Sequence, residues 1–224
     1  MPVAIDSSSA VSEGAASSRT FALNNAAGTG VIVRVASFGR YPTGVTYAAE
    51  ALNAGPQATS TEDDRSTIWT LFTGVNTGNN NVVVTFASST ESVCWADSVT
   101  GEDGTTPIQD TETDTEGLSV TTTSMPAISG TDEGLVFDCL SWFGDRAMAA
   151  GLGQSQQFNE NNTTAQESGA GSTKAGASSV TMVWTWTGGT RYAMTAVSIA
   201  PGAGGGGGDA VPQVWMQYRA RTIH

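Results

Sequence analysis

Apolar and polar residues alternate with a period of two along most of the chain, in short runs bounded by Gly, Pro, Asn and Thr. That pattern is expected of half-buried β-strands separated by turns. In the clearest run, Val31–Phe38, one face carries Val31, Val33 and Val35, and the other carries Ile32, Arg34, Ala36 and Phe38. An arginine inside such a run needs a carboxylate partner or a place at the rim, because an unpaired buried charge is costly. Further strands are predicted at Thr20–Leu23, Val45–Leu52, Ser66–Val75, Val82–Ala87, Ser92–Val99, Leu118–Thr123, Glu133–Phe143, near Gln154–Phe158, at Val180–Trp186 and at Tyr192–Ala200. In Ser92–Val99, Val93, Trp95 and Asp97 share a face opposite Cys94, Ala96 and Ser98.

Asn and Gly tolerate positive φ, so the tract 76–81 predicts a β-hairpin joining Ser66–Val75 to Val82–Ala87. Thr187-Gly-Gly-Thr190 predicts a second, between Val180–Trp186 and Tyr192–Ala200. Residues 101–116 read as a long acidic loop, and 144–177 as polar and glycine-punctuated. Many short strands with no helix between them give an all-β fold, an antiparallel jelly-roll-like β-sandwich over residues 19–201. An extended N-terminal arm (1–18) precedes it, and a glycine-rich hinge (202–208) and a C-terminal docking tail or strand (209–224) follow. The length of 224 residues suits one such domain.

Composition narrows the partners. The net charge is −12, and the nine basic residues include a single lysine, Lys174. Nucleic acid and anionic membranes, which select clustered Lys and Arg, are therefore not expected partners. No apolar stretch reaches the roughly 18 residues of a spanning helix. The start, Met-Pro-Val-Ala-Ile-Asp, has neither the basic nor the apolar region of a secretory signal, yet the Thr/Ser/Gly/Asn-rich body looks extracellular. A virion protein, assembled in the host cytoplasm and exposed after release, combines both features; a processed or otherwise exported protein would too. Cys94 and Cys139 read either as small buried apolar residues or as a disulfide closing a long loop.

Little catalytic chemistry is legible. The single histidine is the last residue, His224, which argues against a His-dependent triad or a His-rich metal site. No phosphate-binding loop is present, and with 21 acidic residues some pair will match glycosidase spacing by chance, so no enzyme is expected. Asp110, Glu112, Asp114 and Glu116 alternate, so in an extended segment they point the same way and suggest calcium; the alternative is a solvated acidic loop. Trp69, Trp95, Trp184 and Trp186 sit in apolar company and read as core, whereas Tyr41 and Trp142 are candidates for a sugar-stacking platform. In the tail, Val214, Trp215, Met216, Tyr218, Arg219, Arg221 and Ile223 are more aromatic than a disordered segment warrants, and form a candidate interface with another subunit or with the chain's own domain.

The order of several motifs resembles a loose group of β-sandwich domains of phage particles and bacterial surface proteins. The matching residues are Val31–Val35, Val45-Thr46-Tyr47, Ile68-Trp69-Thr70-Leu71, Val82–Thr85, Met182-Val183-Trp184 and Ala196-Val197-Ser198-Ile199-Ala200-Pro201. The family's Gly-Gly after the Val-Thr-Tyr strand is Ala48-Ala49 here. The resemblance implies architecture and, more distantly, a virion structural role as a capsid decoration, fibre or tail-associated protein. Its partners would be other virion proteins and further copies of itself, a trimer being favoured. A carbohydrate-binding, lectin-like module, with or without calcium, is the alternative.

Overall fold

The computed structural model describes residues 1–123, 125–161 and 167–202, and the described residues contain strands but no helix. The first sheet holds β1 (Ala4–Ser8), β2 (Ser12–Asn25), β3 (Gly30–Phe38), β4 (Gly44–Tyr47), β5 (Glu50–Ala51), β6 (Asn53–Thr59), β7 (Asp64–Leu71) and β8 (Gly78–Thr100). Its order is β5-β4-β8-β3-β7-β6, and β1 and β2 also pair with β8. The second holds β9 (Ile108–Thr122), β10 (Leu135–Phe143), β11 (Met148–Ala150), β12 (Ser155–Glu160), β13 (Glu167–Ala175) and β14 (Trp184–Ile199). Its order is β11-β14-β10-β13-β12, with β9 also on β14. Every pairing is antiparallel, giving the β-sandwich that the alternation predicts.

Two strands, β8 and β14, each run through what the sequence reads as two, and both predicted hairpins are absent. β7 pairs with β3 and β6, not with β8. The Gly78 end of β8 instead pairs with β2 and β4, and its far end pairs with β3. Likewise β14 runs unbroken through Thr187–Thr190, with Gly188 at φ 74°, and pairs with β11 before that point, with β10 after it, and with β9 on both sides of it. Each glycine or asparagine tract borders or bends a long strand rather than reversing the chain.

The bends let each strand cover the outer face of its own sheet. Val82, Val84 and Phe86 of β8 pack with Val31, Val33 and Val35 of β3 on the outside of the first sheet. Trp184 and Trp186 of β14 pack with Leu140 and Trp142 of β10 on the outside of the second. A third core, including Ile32, Ile68, Val93, Phe137, Cys139 and Val197, lies between the sheets. With both faces of β3 buried, its unbroken hydrophobic run follows.

Other expectations change. Residues 1–18 are extended, but β1 and the start of β2 pair with β8 of the same chain. The acidic loop is largely strand, since β9 begins at Ile108. β13, among the segments expected to be polar and irregular, is a central strand of small residues. A Cβ on Gly171 would lie 2.3 Å from Phe158 Cε1 and 2.8 Å from Arg34 Nη1, so close packing demands glycine there. Ala48 and Ala49 form the turn between β4 and β5 with φ of 51° and 71°, a left-handed pair that glycine adopts more cheaply. The cysteines are free and buried in different cores, and burial pushes each thiol up to about 12.

Candidate functional site

The predicted site residues do not converge. Asp110, Glu112, Asp114 and Glu116 do share one side of β9, as alternation requires. Successive same-side positions on a strand are about 7 Å apart, however, too far for several carboxylates to reach one cation. Some are already engaged: Asp110 accepts from the Ser129 backbone N–H at 2.8 Å, and Asp114 from the Tyr192 hydroxyl at 2.5 Å. Among the described residues no group of three His, Cys, Asp or Glu could hold a metal ion. Trp142 is fully buried in the outer core of the second sheet and offers no face to a sugar. Tyr41 is half-buried; its hydroxyl is 2.6 Å from Thr59 Oγ1, and the Arg65 guanidinium lies 4.9 Å from its ring centre. Val214 to Ile223 of the tail lie outside the described residues.

A groove of about 720 Å³ lies at the end of the sandwich where β3 begins. Phe72, Val75 and Ala27 contribute apolar surface, and Thr29, Gly101 and Glu102 continue the wall. Glu102 is only 8 % exposed, and its Oε2 has no hydrogen-bond partner among the described residues. Phe72 and Gly104 also line an adjoining hollow of about 300 Å³ beside Asn53 and Ile108. A Cβ added at Gly104 meets nothing within 4 Å, so this wall faces open space.

The chain's last described residues are fixed to the rim of this groove. The Gly202 N–H donates to the Gly101 carbonyl at 2.6 Å, and the terminal ammonium of Met1 donates to the Gly202 carbonyl at 3.1 Å. Glu102 and Pro201 form an isolated β-bridge, and Asp103 N–H donates to the Ala200 carbonyl at 3.0 Å. Residues 203–224 therefore start beside the groove.

The other end of β3 is built differently. Phe38 faces Phe143 across the two sheets, ring centres 5.8 Å apart, under a smaller cleft of about 320 Å³ bordered by Thr61, Glu62 and Asp63. Beside these rings lie two fully buried acids, since Phe38 is paired with Asp64 and Phe143 with Glu167. Asp64 accepts from the Ser60 hydroxyl at 2.6 Å, and Glu167 accepts from Ser141. Asp64 Oδ1 and Glu167 Oε2 have no partner among the described residues. Burial pushes Asp64 up to about 6; burial and then the charge of Asp64 push Glu167 well above the usual carboxylate range.

Midway between the ends, Arg34 of β3 pairs with Asp97 of β8, both fully buried. Its Nη1 donates to the carbonyls of Asp138 and Ser172 in the second sheet at 3.2 and 3.3 Å, and its guanidinium lies 5.6 and 5.2 Å from the ring centres of Phe137 and Phe158. Asp97 also accepts from Trp95 Nε1 at 3.0 Å and from Ser8 at 2.5 Å. This closed set joins the sheets and leaves no room for a substrate.

Sequence reasoning missed Phe72, Glu102 and Gly104 as groove residues and Asp64 and Glu167 as buried acids. The available signal was apolar Phe72 beside a glycine-bearing polar tract, which read as the end of a hairpin strand. No protein-family model, curated protein or solved structure matches the chain.

Proposed function

We propose that this protein is a structural, self-assembling display module, a virion component of the decoration, fibre or tail-associated kind, and not an enzyme. The observation that carries this reading is the fixed exit of the chain at Gly202. The hydrogen bonds to Gly101 and Met1 set one point at the end of the sandwich from which residues 203–224 depart. The described residues of the three cores, from Val3 to Ile199, precede that point. The tail then supplies what the acidic body lacks: a cluster of Val214, Trp215, Met216 and Tyr218 with Arg219 and Arg221. Aromatic and arginine side chains are the residues that most often anchor protein interfaces. The setting, a phage particle, comes from the resemblance of the strand motifs; the mechanism comes from the geometry.

The test is the mass in solution of the full chain beside a chain ending at Gly202, measured by light scattering. An oligomer that becomes a folded monomer on truncation supports assembly through the tail. The same mass per particle with and without the tail would overturn it.

A further inference from the structure

We infer that the groove beside Phe72 and Glu102 is the receptor for the Val214–Tyr218 segment of a second copy of this chain. This rests on the reading of the protein as a self-assembling module and names the surface through which it assembles.

Three observations carry it. First, the groove has the size of sites that bury a ligand of several rings, and its walls are mainly apolar around Phe72, Val75 and Ala27. Phe72 and Val75 are only partly buried, packed on two different cores, so their remaining surface is available to an incoming side chain. Second, Glu102 places a nearly buried carboxylate oxygen without a hydrogen-bond partner in that wall. An unpaired buried acceptor is costly and is satisfied by a donor arriving from outside. Residues 209–224 bring Trp215 with its indole N–H and two guanidinium groups, against one acid, Asp209, while the whole chain is strongly acidic. Third, the start of the tail is on the rim of the same groove, so copies meeting at this end bring each tail to the other's groove.

Assembly selects a second copy rather than the chain's own body, because only a tail that docks on another chain joins two bodies; a tail-dependent change of groove exposure in a particle with the mass of one chain would instead mean docking on its own body. Reciprocal exchange closes a dimer, and head-to-tail exchange closes a ring.

The experiment uses full-length chains. Gly104→Leu adds bulk to the groove wall at a position with open space and no positive φ, and Phe72→Ser removes the main apolar contact. Trp215→Ala with Met216→Ala disarms the tail. Light scattering should give the mass of one chain for each of the three variants and a multiple of it for the unaltered protein. Thermal unfolding of the Gly104→Leu chain should remain that of the unaltered body. The deciding step mixes the Gly104→Leu chain, which keeps a working tail, with the Trp215→Ala/Met216→Ala chain, which keeps a working groove. A two-chain complex formed only on mixing is the expected result. Variants that are monomers yet fail to complement would overturn docking on a second copy. A tail-dependent oligomer unaffected by both Gly104→Leu and Phe72→Ser would overturn the groove while leaving assembly through the tail intact. An unaltered protein that is monomeric at all concentrations would overturn both.

Discussion

Two polar clusters lie between the same two sheets, one midway along β3 and one at its Phe38 end, and they tolerate burial by opposite means. At the centre, Arg34 and Asp97 carry opposite charges, Arg34 Nη1 donates to two backbone carbonyls of the second sheet, and the guanidinium lies against two aromatic rings, while its Nε has no hydrogen-bond partner among the described residues. At the end, Asp64 and Glu167 are like in sign and feel further acids nearby, Asp63 acting on Asp64 and Glu91 on Glu167. Among their causes of shift no cation figures. The first cluster is held by the pairing of opposite charges. The second is held by protons, so its contribution depends on pH. A buried ionisable group is informative only with its partners.

Breaking the central pair should have the largest effect. Asp97→Asn leaves the buried guanidinium without its counter-charge, and such removals cost about 3–5 kcal/mol. Urea unfolding should show the midpoint falling accordingly. The double replacement Arg34→Met with Asp97→Leu should recover most of that loss, because no charge is then buried unpaired. A loss under about 1 kcal/mol for Asp97→Asn would mean that the pair is not desolvated.

The acid pair predicts a dependence on pH of nearly that size. Asp64 has its folded value raised to about 6 from 3.8, so between those values the folded chain keeps a proton that the unfolded chain has released. Stability from this group is thus fully present below 3.8 and is lost as pH rises through about 6, by about 3 kcal/mol. Glu167 acts with the same sign, as does Asp138, pushed up to about 6 by burial. Thermal unfolding should therefore occur at a higher temperature at pH 4.5 than at pH 7.5, the reverse of ordinary acid denaturation. Glu167→Gln removes one charge of the pair and should flatten the profile, whereas Asp138→Asn should remove only its own share. A Glu167→Gln profile parallel to that of the unaltered protein would show that the two acids are uncoupled.

The two clusters also differ in how far the sequence revealed them. Alternation in Val31–Phe38 put Arg34 on the face of Ile32 and Ala36, called for a carboxylate partner or a rim position, and placed Asp97 with Val93 and Trp95 on a strand of its own; the structure selects the carboxylate. Periodicity reports faces, and both partners lie in strongly periodic strands. Asp64 lies just before the predicted strand Ser66–Val75, outside any apolar alternation, and Glu167 lies in the polar, glycine-punctuated stretch 144–177. β13 is small-residued because of what it packs against, Ala36 and Val93 at Gly169 and Arg34 and Phe158 at Gly171, and that information is non-local. The absent hairpins have the same origin. Asn and Gly tracts allow a reversal or a bend, and burial of the outer sheet faces decides between them. For the groove, Phe72 was visible as an apolar residue, but Glu102 and Gly104 fell in a segment whose charge suggested only solvent.

Gly171→Ala tests whether β13 is shaped by the central cluster. Its new methyl would meet Phe158 Cε1 and Arg34 Nη1, parts of the set that holds the sheets together. Overpacking of this kind costs about 1–3 kcal/mol. Gly44→Ala is the control: it too lies in a strand, β4 of the first sheet, but its added Cβ meets nothing within 4 Å, and it should be near neutral. Equal losses at both sites in urea unfolding would mean that the cost arises from β-strand glycine in general and not from the crowded site around Arg34.

The smallest expected effect is also the one that separates the clusters most cleanly. The Ser60 hydroxyl donates to Asp64 Oδ2 at 2.6 Å and works against burial by holding the Asp64 value down. Ser60→Ala therefore removes a hydrogen bond worth about 1 kcal/mol on average, and more when its acceptor is ionised. The loss should be larger at pH 7.5, where the unpaired acceptor carries a charge, than at pH 4.5, where it is protonated. The pH profile of this variant should be steeper than that of the unaltered protein, and its descent should be displaced upward in pH. Ser8→Ala is the matching change at the central pair, where the hydroxyl supplements a carboxylate already met by the guanidinium. At pH 7.5 it should cost less than Ser60→Ala, and an equal or larger cost in urea unfolding would mean that the guanidinium alone does not meet Asp97.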